Sequence, residues 1–202
     1  MWNRAICFMF CYFSACIALA GIAFDPTANE LALLPEYCKY KNQISPGYQK
    51  DATWKRCQSI FGADNWKHMH HYCGGLLKIN RGNSVIRGTG KASAYYHYAI
   101  EDLEYMERGA TASFRLWPEL FVKMGDAYKG QNDLTNAEFY YHKAYIKYPK
   151  YKITYMKLVY LYINQDRAKE AKEVNDNAIR QFGEKKAFLR NAEKINQLLG
   201  EQ

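Results

Sequence analysis

The feature that most constrains this 202-residue chain is a self-similarity at a spacing of 34 residues in its C-terminal half. From Pro118 onward the landmarks Phe121, Met124, Gly125, Tyr128, Ala137, Tyr141, Ala144 and Pro149 are followed 34 residues later by Tyr155, Leu158, Val159, Tyr162, Ala171, Asn175, Ala178 and Gly183. Five of the eight keep their residue type; Val159, Asn175 and Gly183 depart from it. Gly125, Ala137 and Ala144 are small where two antiparallel helices would touch, and Tyr128 and Tyr141 are large where a ring would fill the groove between them. A period of this length describes one supersecondary unit that buries its apolar face only by stacking on a neighbour. Helix punctuation agrees with it. Pro118 suits a first helical turn, Asp133 and Asp166 stand where N-caps belong, Pro149 cannot continue a helix, and Gly183 can close one.

These landmarks match the tetratricopeptide (TPR) pattern W-x2-L-G-x2-Y, A-x3-F-x2-A, P, and the chain resembles TPR proteins on that ground. The resemblance implies an all-α solenoid of helix-turn-helix repeats, with a first repeat at 118–151 and a second at 152–183. A degenerate third unit is expected at 67–109. Its first helix runs from His68 to Asn80 with Gly75 in the small position, and its second from Lys91 to Arg108 with Tyr95, Tyr98, Leu103 and Met106 on an apolar face. The connection from Arg81 to Gly90 is longer than a standard repeat allows. Residues 184–202 supply a capping helix, with Phe188, Leu189, Ala192, Ile195, Leu198 and Leu199 at helical spacing, because a terminal repeat otherwise exposes one apolar face. Residues 24–66 form an N-terminal cap segment.

Residues 1–23 are read apart from the fold. Arg4 is followed by no strongly ionising side chain from Ala5 to Phe24, and small-x-small sites stand at Ala18-Leu19-Ala20 and Gly21-Ile22-Ala23. That is the form of a cleaved secretory signal peptide. Two alternatives stay open: the stretch 5–24 is long enough to serve as an uncleaved membrane anchor, and Phe13-Ser14-Ala15-Cys16 resembles a bacterial lipoprotein lipobox. The lipobox pattern prefers Leu where Phe13 stands and polar residues after the Cys, whereas Ile17-Ala18-Leu19-Ala20 follow here. All three readings export the remainder to the periplasm or beyond. Membrane contact is expected only through this N-terminal segment.

Export decides how the cysteines are read. Three of the six, Cys7, Cys11 and Cys16, lie in the leader, leaving Cys38, Cys57 and Cys73. An oxidising compartment favours a disulfide over a thiolate metal cluster, and an odd number leaves one thiol over. Spacing does not settle the connectivity; the pairing taken is Cys38 with Cys73. Leu34-Pro35-Glu36-Tyr37-Cys38 followed by His70-His71-Tyr72-Cys73-Gly74-Gly75-Leu76 and then repeats is similar to a group of exported bacterial TPR proteins, and that resemblance supports the same pairing. The group usually carries a bulky residue, often Trp, where Gly74 stands.

TPR proteins bind other proteins through a concave groove lined by the first helix of each repeat. The resemblance places Glu119, Val122, Asp126 and Lys129 of the first repeat and Ile153, Met156, Tyr160 and Ile163 of the second on that surface. The second set is apolar, which suits a hydrophobic segment of a partner protein or peptide. TPR domains that clamp a terminal carboxylate use Lys and Asn where Val122 and Asp126 stand, so that mode is not expected.

Catalytic signals are absent from the sequence. There is no G-x-S-x-G turn, no P-loop, and no dinucleotide fingerprint among Gly82, Gly88 and Gly90. We expect no enzyme and no cofactor. The cluster His68-x-His70-His71-x-Cys73 is the one concentration of ligand-type side chains, but a helix splits it into two faces of two groups each, fewer than zinc requires. A metal-dependent activity at His68–Cys73 is the least favoured reading. Glu101, Asp102 and Glu104 alternate with apolar residues and read as a solvated face.

The formal charge of +8, or +7 once Arg4 leaves, invites an anionic partner. The stretch 145–152 interleaves Tyr with Lys and could stack rings while neutralising charge. For an exported chain the candidate is an acidic envelope polymer such as a polysaccharide rather than nucleic acid. The competing explanation is that these lysines sit at helix C-termini, where the helix dipole favours them without any ligand.

Overall fold

The computed structural model describes residues 25–41 and 51–200. The leader readings for residues 1–23 lie outside the described residues, and so does the whole of the anchor stretch 5–24. The described chain is all-α. Ten helices follow one another: α1 (Ala28–Ala32), α2 (Glu36–Lys41), α3 (Ala52–Phe61), α4 (Ala63–Ser84), α5 (Gly90–Gly109), α6 (Trp117–Gly130), α7 (Leu134–Lys147), α8 (Lys152–Ile163), α9 (Ala168–Phe182) and α10 (Lys186–Leu199). The most extensive packing is within the successive pairs α4/α5, α6/α7 and α8/α9, each antiparallel, and each pair then packs on the next. This sequential arrangement is consistent with a helical repeat. No described helix is long and apolar enough to cross a membrane.

Within α6/α7 the packing follows the size pattern of the sequence. Gly125 lies so close to the Tyr141 ring that a Cβ there would overlap it. Tyr141, Ala137 and Ala144 are fully buried. In α8/α9 the equivalent positions hold Val159 and Asn175, both buried. The glycine–tyrosine pair is thus replaced by two side chains of intermediate size, so two apparent departures from the pattern exchange volume between facing positions. Asn175 has a second use: its Nδ2 donates to the Phe188 carbonyl at 3.0 Å and ties α9 to α10. Phe188 and Ile195 of α10 are buried, and Phe188 stacks on Phe182 with ring centroids 6.1 Å apart.

The turns of the two pairs also repeat. Asn132 and Asp166, 34 positions apart, both adopt left-handed backbone, with φ of 64° and 56°. The next residues, Asp133 and Arg167, each donate their N–H at 3.0 Å to a tyrosine carbonyl, Tyr128 and Tyr162 respectively. Asp133 caps α7 as expected, its carboxylate accepting from the Asn136 N–H. Asp166 does not cap α9. It occupies the left-handed position of the turn, one residue early, and the N-cap position falls to Arg167, which makes no side-chain cap bond. Asp and Asn tolerate this backbone because their short polar side chains bond locally.

The first helical pair departs most from expectation. α4 extends from Ala63 to Ser84, beyond the expected limits at both ends, and the connection to α5 shrinks to residues 85–89. Gly82 explains the error: a Cβ there would strike the Tyr96 ring, so this glycine serves helix packing rather than a loop. Gly75 plays the expected small role against Leu103 of α5. Asp102 and Glu104 are not a solvated face. Asp102 accepts from His71 at 2.8 Å and from Lys78 at 2.5 Å, and Glu104 accepts the Tyr128 hydroxyl at 3.1 Å, linking α5 to α6.

The N-terminal cap is fastened to α4 twice. Cys38 and Cys73 form a disulfide with Cα atoms 5.5 Å apart, and Cys57 remains a buried free thiol. Arg81 forks onto the Glu30 carboxylate at 2.7 and 3.0 Å and donates to the Asp25 carbonyl at 2.8 Å. The hydrogen bonds from Arg81 and Thr27 hold the Glu30 carboxyl down from its ordinary 4.5 to about 2. Between these fastenings Tyr37, Phe61, Trp66, Tyr72 and Phe114 interlock ring on ring. One continuous apolar core runs from Leu34 to Ile195.

Candidate functional site

The eight residues expected to line a groove come from α6 and α8, and the structure distributes them unevenly. On α8, Ile153, Met156 and Tyr160 are 43, 40 and 54% exposed. Their spacing of three and four residues puts them on one side of the helix. Most of the rest of α8 is apolar as well: Tyr155, Leu158, Val159, Leu161 and Tyr162 are buried against the neighbouring helices, with Lys152 and Lys157 its charged residues. A helix this apolar is ordinarily enclosed, and α8 leaves a largely apolar side open. Ile163 and Val122, by contrast, face the core and are almost wholly buried. The first helices α4, α6 and α8 pack on one another as well as on their own partners, so a residue at that seam meets a neighbouring helix instead of solvent.

Asp126 and Lys129 carry the polar part of the site. Asp126 Oδ1 accepts the Tyr141 hydroxyl at 2.7 Å and the Lys157 ammonium at 2.6 Å, so one carboxylate joins α6, α7 and α8. Burial and the adjacent Asp126 charge push the Tyr141 phenol far above its ordinary value, which keeps it a neutral donor. The Lys129 ammonium lies 5.0 Å from the centre of the Tyr160 ring, a cation–π arrangement. Burial holds it below the usual lysine range. Glu119 lies at the other end of α6, where its charge acts on the buried phenols of Tyr37 and Tyr72; both are raised mainly by burial and further by that carboxylate.

Beside this apolar strip lies a cavity of about 300 Å³ lined by Asn83, Arg87, Tyr96, Asp126, Lys129, Gly130 and Lys157. Asp126 and Lys129 were expected at the site. Lys157 was not: it sits one residue past Met156 and carries no periodic signal of its own. Asn83 reaches α6 because α4 extends through it, and Arg87 joins from the connection between α4 and α5, where the sequence places it.

The histidine cluster does not converge. His71 Nδ1 meets Asp102, His70 Nδ1 meets the Lys67 carbonyl at 2.8 Å, and His68 packs against Tyr105 and Gly109. Burial, and then the neighbouring His71, lower the His70 imidazole below its usual range. Cys73 is committed to the disulfide. Among the described residues no group of three or more His, Cys, Asp or Glu could hold a metal ion. Lys147 of the 145–152 stretch stands in the last turn of α7, where the helix dipole favours it. Lys143, just before that stretch, bonds Glu107 at 2.5 Å and lies 4.6 Å from the Phe121 ring centre.

Comparison of the chain with protein-family models, with curated proteins and with solved structures yields no match.

Proposed function

We propose that this chain is a TPR-type scaffold of the bacterial cell envelope, without catalysis of its own, that holds an apolar segment of a partner protein against α8. The observation that carries the reading is the exposed strip Ile153, Met156 and Tyr160 on a helix most of whose remaining residues are buried and apolar. Exposed apolar residues arranged on one side of an element mark interaction sites more often than scattered ones do.

The TPR assignment draws support from bonds that recur with the sequence period. Tyr128 donates to Glu104 at 3.1 Å and Tyr162 donates to Glu138 at 3.0 Å. Donors and acceptors are both 34 positions apart, so the second helix of one pair is joined to the first helix of the next pair by the same bond twice. The equality includes Glu104 of the degenerate unit and supports reading α4/α5 as a repeat. An envelope location is supported by the Cys38–Cys73 disulfide, which fits an oxidising extracytoplasmic compartment.

The test is the double substitution Met156→Glu with Tyr160→Ala, which places a charge in the strip and removes its largest ring. Capture of the partner in pull-downs should be abolished while the helical circular dichroism signal is unchanged. Capture at the wild-type level would sink the reading.

A further inference from the structure

The cavity beside α8 has a chemistry that the apolar strip does not use. Arg87, Lys129 and Lys157 contribute three positive charges to its lining and Asp126 one negative charge. Asp126 is already engaged with Lys157 through Oδ1. Among the described residues, the Arg87 guanidinium and the Lys129 ammonium have no hydrogen-bond acceptor. Nor does Asp126 Oδ2 have a donor. Tyr96 donates its hydroxyl to Asn83 Oδ1 at 2.8 Å, and the Asn83 amide nitrogen, which has no acceptor among the described residues, is a further donor of the lining. Gly130 keeps this wall in place, since a Cβ there would displace the Tyr96 ring.

Lys129 is half-buried and Arg87 exposed, and together they leave the lining with two cations in excess over carboxylate, a charge that an anion complements. A lone carboxylate or phosphate would satisfy the charge but not the rest of the lining. The cavity is large enough for a ring, at the lower end of the sizes ordinary for small-ligand sites. It also presents an acceptor, Asp126 Oδ2, and a neutral donor, the Asn83 amide, which match hydroxyl groups. We propose that this cavity binds a sugar acid, its carboxylate held between Arg87 and Lys129 and its ring hydroxyls bonded to Asp126 and Asn83. The ligand is either a free hexuronate or one hexuronate unit of an acidic polymer. The cavity adjoins the α8 strip through Lys129, whose ammonium lies over the Tyr160 ring, and through Lys157, but ligand binding in the cavity does not require a partner segment on the strip.

The experiment is saturation-transfer difference NMR on the purified full chain with D-glucuronate as the probe. Its ring protons should give a saturable signal that falls at least tenfold in the Arg87→Ala, Lys129→Ala double variant, with circular dichroism confirming that the variant folds. D-Glucose at the same concentration should give none. Tighter binding of trigalacturonate than of galacturonate would assign the site to a polymer, and equal binding to the free acid; either ranking supports the site. A glucuronate signal that is absent, or that survives the double substitution, would overturn the proposal. So would equal signal from N-acetylglutamate, or full displacement of glucuronate by equimolar inorganic phosphate, since both would reduce the cavity to a bare anion site. Capture of a partner segment is read separately, by the Met156 and Tyr160 substitutions with Arg87 and Lys129 intact.

Discussion

Single residues set how closely the helices approach. Gly125 admits the Tyr141 ring, and Tyr141 in turn bonds Asp126. Gly125→Ala should therefore push the ring aside and cost about 1–3 kcal/mol, as overpacking of a tight core does. Thermal denaturation will read this as a lowered midpoint, and an unchanged midpoint would mean that the contact is slack. Asp133→Ala should cost about 1 kcal/mol through loss of the α7 cap. Asp166→Gly removes no cap and suits the left-handed turn, so it should cost little beside Asp133→Ala; chemical denaturation of the two variants separates the cases. The small and large positions of the α6/α7 pair were legible in the sequence because size at a fixed offset is a periodic signal. The charges were not. A carboxylate such as Glu104 occupies the same helical register whether it faces water or the Tyr128 hydroxyl of the next helix, and only packing distinguishes them.

At the scale of elements, the helices from α5 to α10 were legible, whereas the ends of α4 and the helices α1 to α3 of the cap segment were not. Gly82, Asn83 and Ser84 have the composition of a loop, yet α4 continues through them because Gly82 is needed beneath Tyr96. Asn83 thereby reaches the cavity from the end of α4, and Arg87 joins it from the short connection that follows. The cap formed by α1 and α2 gives two predictions. Reduction of Cys38–Cys73 releases a 35-residue separation and should lower stability by about 3–4 kcal/mol in the chain-entropy model. Denaturation with and without reductant measures it. The Arg81–Glu30 pair adds a pH dependence. Because the folded carboxyl is held low, its contribution is complete above pH 4.5 and is lost as the pH falls toward about 2. At this accessible site the contribution is below about 1 kcal/mol. Glu30→Gln should flatten that part of the acid limb in a pH series of thermal midpoints, and an unchanged limb would assign it to other carboxylates.

For the whole molecule, one period organises both sequence and structure. The turn residues Asn132 and Asp166, the backbone bonds to Tyr128 and Tyr162, and the Glu–Tyr bonds between pairs all recur at the spacing first visible in the side chains. A chain built this way presents its first helices side by side, and the α8 strip is where that surface is both apolar and open. The face was legible from the repeat register, although Val122 and Ile163 turned out to belong to the seam between helices. The polar cavity beside it was not legible, since its lining comes from three separate stretches of chain. The central claim is that the α8 strip touches a partner, and site-specific photocrosslinking reads this directly. With p-benzoylphenylalanine at Met156, irradiation of intact cells should give a discrete adduct, while the same group at Ile146, an exposed apolar position on α7 outside the strip, should give none. No adduct from position 156, or the same adducts from both positions, would contradict it.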